Sequence, residues 1–223
     1  MGIPQKRMQK FWDQEKSLTI LLLILVVHIF IIIPIGQKTI VTETVFLFFY
    51  ASLLSAGMYL LIKNARLRVF LTGILIVLLL LGSDFFLKSV TLGIIDDLIT
   101  VLYCIMLSYV VLLRTFREGP VTIHRIQGAV VVYLLMSLIF ALAYHSVYLL
   151  NGEMAFKGLS SSDRKEFMYF SLTTLTTVGY GDISPALPVN RSLANLEALI
   201  GQLYPAILIA RLVSMEFESS KKG

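Results

Sequence analysis

Charge is scarce in this 223-residue chain: 15% of its residues are Asp, Glu, Lys or Arg, against 57% hydrophobic, and the mean hydropathy is +0.83. A soluble fold of this length cannot hide so much apolar side chain, which excludes a water-soluble globular protein and implies an integral membrane protein. Cysteine is rarer still. Cys104 is the single one, so an intrachain disulfide is excluded and a buried, unreactive thiol within an apolar segment is expected. The sequence shows no nucleophile paired with a base, no metal-ligand cluster and no phosphate-binding loop, so nothing in it supports an enzyme. The net charge is +5, yet no soluble domain is evident to carry a basic surface, and no nucleic-acid partner is expected. Internal repeats and low-complexity tracts are missing as well.

Long apolar runs are what the chain does have. Six stand out, at 17–35, 43–62, 69–87, 94–113, 128–150 and 193–215, each near the roughly 20 residues that a helix needs to cross a bilayer. The first is too long for a cleaved signal and lacks a small-residue cleavage site. The expected fold is therefore all-α and transmembrane, with six membrane-spanning helices. Lys and Arg are distributed unevenly between these runs. The segments 6–16, 63–68, 114–125 and 211–222 hold thirteen of the nineteen, while the alternate loops hold Lys38, Lys88, Lys157, Arg164, Lys165 and Arg191. The positive-inside rule then places both termini in the cytoplasm of a multi-pass plasma-membrane protein.

Between the fifth and sixth runs lie a polar stretch, Asn151 to Lys165, and an apolar segment, 166–176, too short to span. Asp163 with Glu166 three residues later predicts a helix start. This short helix is expected to re-enter the membrane from outside, its carboxyl end near Thr176 aimed at the membrane centre, where the helix dipole favours a cation. Next comes Thr177-Val178-Gly179-Tyr180-Gly181-Asp182. Neutral backbone carbonyls can replace the water shell of a dehydrated cation without holding it too tightly to leave. Aiming successive carbonyls at one axis needs alternating backbone conformations, some at positive φ, which Gly179 and Gly181 supply. The Thr177 hydroxyl adds an innermost layer of oxygens, the side chains of Val178 and Tyr180 turn back into the supporting protein, and Asp182 forms an anionic outer mouth.

This unbroken run resembles the selectivity filter of the tetrameric potassium channels; the resemblance is strong over residues 126–216 and only architectural before them. It implies K+ ions ligated by the carbonyls of Thr177, Val178, Gly179 and Tyr180, with Gly181 completing the filter. One filter segment per chain cannot encircle an ion, so a homotetramer is implied. The implied plan is that of a voltage-gated channel. It has a cytoplasmic segment 1–16, a four-helix membrane domain 17–113, a linker 114–127 lying against membrane lipids at the inner surface, a pore domain 128–216 and a tail 217–223. Because few residues follow Met215, no ligand-binding domain is expected there. Tyr169 and Phe170 occupy positions where an aromatic pair, usually tryptophan, braces the filter in that family. Thr173 falls where some relatives carry a glutamate.

Counting without gaps from Asp182, Gly201 falls on the family's hinge glycine, and Pro205 removes a helical hydrogen bond four residues later. Together they make a bend; the alternative is that Gly201 permits close helix packing and Pro205 kinks a static helix. Ile209 and Val213 are candidates for an inner constriction. Glu197, the one acid inside the sixth run, is expected to bond to the filter loop or the pore helix. His28, His124 and His145 are expected in packed or interfacial roles. Gly93 to Leu113 contains no Lys or Arg, while Asp96 and Asp97 open that segment and Arg114 and Arg117 close it. Each elementary charge that crosses the field contributes about 2.3 kcal/mol per 100 mV, so little voltage dependence is expected. The sequence thus suggests a passive potassium-selective channel. A four-pore potassium uptake system fits less well, and the alternative of another class is a non-conducting membrane receptor or scaffold with a channel-like pore module.

Overall fold

The computed structural model describes residues 18–33, 89–116 and 121–220. The expected spans at 43–62 and 69–87, the amino-terminal segment and residues 117–120 of the expected 114–127 linker lie outside them. The described residues are mostly helical, and three helices among them are long and apolar enough to cross a membrane: Val90–Thr115, Ile123–Ala155 (its last turn 3-10) and Pro188–Phe217. We name the helices α1 (Leu18–Ile32), α2 (Val90–Thr115), α3 (Ile123–Asn151), α4 (Arg164–Leu175) and α5 (Pro188–Ser220). At 26 residues, α2 extends about 39 Å, enough for the roughly 30 Å hydrocarbon core.

Local chemistry accounts for the helix ends. At the end of α3, Asn151 folds its side-chain amide back onto the Val147 carbonyl at 2.8 Å, and Gly152 follows at φ +61, the left-handed position that stops a helix without a Cβ clash. The next residues form a 3-10 turn, Gly152–Ala155, and a short strand β1, Phe156–Lys157. Helix α4 begins after Asp163, as the Asp163/Glu166 spacing predicts, but the Asp163 carboxylate does not cap it. That carboxylate accepts from the Ser161 hydroxyl at 3.0 Å, while Glu166 accepts from Ser160 at 2.8 Å. Three helices start earlier than their apolar runs, α2 at Val90 instead of 94 among them. Helix α3 begins at Ile123 instead of 128, and α5 at Pro188 instead of 193. Pro188 suits a first helical position, where its missing N–H costs nothing and its φ is already helical.

The described residues fall into two compact units. One contains α1, the end of α2 from Leu107 and the start of α3 to Val132. Within it Leu21, Leu25 and His28 of α1 are fully buried, His28 in a five-residue π segment. Thr19 donates to Gln127 at 2.7 Å, and His124 lies 3.1 Å from the same Gln127 oxygen. The other unit contains α2 up to Met106 and the chain from Tyr133 onward. Its centre is an aromatic cluster in which Phe156 meets Tyr144, Phe167 and Phe170 edge to face at 5.3–5.7 Å.

Candidate functional site

Helix α4 delivers the chain to the Thr177–Asp182 loop. Its last turn closes with the Thr176 amide on Leu172 and the Thr177 amide on Thr174, at 3.0 and 2.9 Å. The Gly179 amide then reaches back to the Thr173 carbonyl at 3.1 Å. Along the loop the sign of φ alternates. Thr177, Gly179 and Gly181 stand at +60, +55 and +80, and Thr177 is the one non-glycine residue at positive φ among the described residues. Such alternation turns successive carbonyls toward a common side, the geometry in which backbone oxygens can form a ladder around a cation.

All residues from Thr176 to Asp182 are exposed in the single chain, including Val178 at 53% and Tyr180 at 72%. Tyr180 does turn back on its own protein: its ring stacks on Tyr169, centroids 6.4 Å apart and planes 3° from parallel. The Tyr169 hydroxyl donates to the Asp182 carboxylate at 2.7 Å. That bond pushes the Tyr169 phenol up to about 12 and holds Asp182 below the usual carboxylate range, since each group's present protonation state is the one the bond requires.

The aromatic pair divides its work. Tyr169 touches the loop, whereas Phe170 faces the other way, 5.0 Å from Tyr144 and 5.3 Å from Phe156 in the buried cluster. The Thr173 hydroxyl bonds locally to the Phe170 carbonyl at 3.0 Å, and its main chain is what meets the loop.

Beyond Asp182 the chain is clasped from the side. Strand β2, Ser184–Pro185, pairs antiparallel with β1, Phe156 opposite Pro185 and Lys157 opposite Ser184. The Ala155 carbonyl accepts from the Ala186 amide and from the Asn190 side chain, both at 3.0 Å. Gly158, at φ +82, lies so close to the Asp182 carbonyl that a Cβ there would overlap it. Sequence reasoning missed this clasp, for two-residue strands leave no periodic signature; Gly158 directly after an apolar-polar pair was the available signal.

Helix α5 supports α4 at two levels. Glu197 is fully buried, with Ser171 Oγ of α4 at 2.5 Å from Oε1 and Tyr144 Oη of α3 at 2.7 Å from Oε2. One turn lower, a Cβ on Gly201 would overlap the Leu175 carbonyl. That same carbonyl accepts from Tyr133 at 3.0 Å, and the Tyr133 ring stacks on Tyr204 at 5.9 Å. Gly201 thus occupies a close helix contact, and α5 runs as one helix through Pro205. Ile209 and Val213 are exposed at 62% and 49%, on a helix whose most apolar window is only 11% buried in the single chain.

A second feature missed from sequence joins α2 to α4. Arg164, the first residue of α4, bridges Asp96 at 2.5 Å and Asp97 at 2.7 Å. His145 of α3 lies 2.6 Å from Asp97, and Ser146 donates to the same oxygen at 3.2 Å. Asp96 and Asp97 are buried, and burying two carboxylates is tolerable only with partners of this kind. Adjacent acids inside an apolar run were the signal; the partner's identity was not legible, lying 67 residues downstream.

Comparison with known proteins falls on this same region. Residues 131–218 match a protein-family model described as "Ion channel", covering α3 from Val131, all of α4 and the loop, and nearly all of α5, so this part of the chain carries the sequence of an ion-channel domain. The chain is 39% identical over 88 residues to Protein LctB of Bacillus caldotenax, covering 36% of this chain and 64% of that one. It is 34% identical over 94 residues to Protein LctB of Geobacillus stearothermophilus, with 39% and 66% covered. It is also 36% identical over 104 residues to the inward rectifier potassium channel Kirbac3.1 of Paramagnetospirillum magnetotacticum, with 47% and 32% covered. The chain therefore spans less than two thirds of the length of these relatives. No solved structure matches it.

Proposed function

We propose that the ion-channel domain of this chain conducts K+ passively through a pore made by four identical copies in a cell membrane. The observation that carries this reading is the alternating φ of Thr177, Gly179 and Gly181 in a Thr-Val-Gly-Tyr-Gly-Asp run that is wholly exposed in the single chain. A carbonyl ladder on one chain offers an ion one side of a cage; four copies about an axis supply the rest and cover Val178. The carbonyls of Thr177, Val178, Gly179 and Tyr180 coordinate the ion, Gly181 lets the chain leave the ladder, and Asp182 supplies the acidic mouth. The name of one relative, a potassium channel, supports the choice of ion.

In this reading α4 is a re-entrant pore helix, α3 and α5 are the two pore-lining spans, and α1, α2 and the spans at 43–62 and 69–87 form a four-helix membrane domain. Both termini lie in the cytoplasm, by the distribution of Lys and Arg. Tyr169, Phe170, Thr173 and Glu197 support the filter. Gly201 acts as a packing glycine and Pro205 shapes α5, while Ile209 and Val213 form the inner constriction. Between Gly93 and Leu113 α2 has no basic residue to move through the field, and its two acids are tied to Arg164.

The test is cation flux through the full chain reconstituted in vesicles. Wild type should pass K+ and exclude Na+, and Gly179→Ala should abolish that discrimination. Within the single chain nothing lies within 4 Å of the position a Cβ would take at Gly179, so there the substitution acts through backbone strain, about 1–2 kcal/mol per copy. A wild-type protein that assembles and passes no ion would favour the receptor or scaffold.

A further inference from the structure

Glu197 has a hydrogen to account for. Ser171 Oγ lies 2.5 Å from Glu197 Oε1 and 2.7 Å from the Ser137 carbonyl oxygen, while Tyr144 Oη lies 2.7 Å from Glu197 Oε2. A serine hydroxyl carries one hydrogen, and a backbone carbonyl and an ionised carboxylate carry none. With Glu197 ionised, Ser171 would face two acceptors at short distance and could serve only one; the other contact would be a repulsive approach of two oxygens. One more hydrogen resolves this. A carboxylic O–H at Oε1 donates to Ser171, Ser171 donates to the Ser137 carbonyl, and Oε2 accepts from Tyr144. Three hydrogens then serve three contacts, and every donor has an acceptor.

Charge leads the same way. Glu197, Ser171 and Tyr144 are all fully buried. Among the described residues, the groups acting on Glu197 are Ser171 of α4 and Tyr144 and Tyr133 of α3, and none is a cation. An isolated carboxylate in such surroundings has nothing to offset its lost hydration. Asp96 and Asp97 show the contrast, for there the chain places an arginine against each.

We propose that Glu197 is a neutral carboxylic acid and a positioning residue, the proton donor in a buried chain Tyr144–Glu197–Ser171–Ser137 that joins α5 and α3 to the middle of α4. Ser171 precedes the filter by six residues on that helix, so the chain sets the depth at which α4 delivers Thr177. Its consequence for conduction rests on the channel reading above; the protonation state rests on the hydrogen count and is independent of it.

The experiment uses the full chain in lipid vesicles with 13C-labelled glutamate, compared by infrared difference spectroscopy with Glu197→Gln at neutral pH. Wild type should show the carbonyl stretch of a protonated glutamic acid, and the variant should lack it. Glutamine reproduces the neutral acid, with its NH2 donating to Ser171 and its carbonyl accepting from Tyr144, so the variant should keep K+ flux within about twofold of wild type. Ser171→Ala removes the central link and should lower flux roughly tenfold. A wild-type spectrum with ionised glutamate only would overturn the proposal, and needs no variant to fold. So would an assembled Glu197→Gln protein whose flux is lost as fully as that of Glu197→Ala. A clear acid band in a protein that passes no K+ would instead sink the channel reading and leave the proton in place.

Discussion

Thr177 shows what the loop asks of single residues. A threonine at φ +60 is about 1–2 kcal/mol less stable than at negative φ, and the amides of Thr177 and Gly179, bonded to the carbonyls of Thr174 and Thr173, hold it there. The glycines at 179 and 181 were readable as conformational requirements from sequence; the strain at Thr177 was not, because a threonine announces no positive φ. Tyr169 is the other residue whose role needed coordinates. Tyr169→Phe keeps the ring on Tyr180 and deletes the bond to Asp182, so the K+/Na+ ratio should persist while the filter loses conduction faster, by less than about tenfold for so exposed a bond. Its pH dependence follows from the shifts. The lowered pKa of Asp182 means the bond is fully present above the ordinary aspartate value and is lost as pH falls through the lower folded value. On the alkaline side it is lost as Tyr169 ionises near 12. Inactivation rates should therefore be flat across neutral pH in wild type and rise only in strong acid or as pH approaches 12, and Tyr169→Phe should remove both limbs; single-channel recording checks this.

Among the elements, α4 is the one that everything else positions. Gly201 lets α5 approach the Leu175 carbonyl, and alanine there gains about 1 kcal/mol of helix propensity. The added Cβ would overlap a backbone atom that Tyr133 already holds, so overpacking of about 1–3 kcal/mol prevails. Gly201→Ala should lower the thermal midpoint of the reconstituted assembly. At the other end, Arg164→Gln would leave Asp96 and Asp97 buried against a neutral partner. Breaking a buried pair costs about 3–5 kcal/mol, but the Arg164 side chain is 31% exposed, which reduces the expected loss to about 1–3 kcal/mol. Thermal unfolding of Arg164→Gln, with Asp96→Asn added back, checks this: the second change should recover part of the loss by removing one uncompensated charge. The start of α4 was legible from Asp163 and Glu166. The anchors on it were not, since each bond joins residues far apart in sequence.

At the scale of the whole molecule, the end of α2 held by Arg164 and the absence of Lys or Arg from Gly93 to Leu113 predict a conductance that varies little with voltage. A steep conductance–voltage curve in bilayers would contradict it. The exposed apolar side chains of α5, among them Leu199, Leu203, Ile207 and Val213, predict that the chain migrates as a tetramer in mild detergent. Sequence alone determined the apolar, helical class of the chain and the glycine positions at which the Thr177–Asp182 loop takes positive φ, because hydropathy and breaker residues are local properties written in consecutive positions. Only the tertiary structure decided how that loop is held. Tyr169 rather than Phe170 braces it, Phe156–Lys157 clasps its exit, Glu197 and Gly201 set α4 against α5, and Arg164 ties α4 to an acid pair on α2. The physical reason is that a hydrogen bond or ion pair between buried groups depends on where two distant backbones meet, and no periodicity in the chain records that meeting.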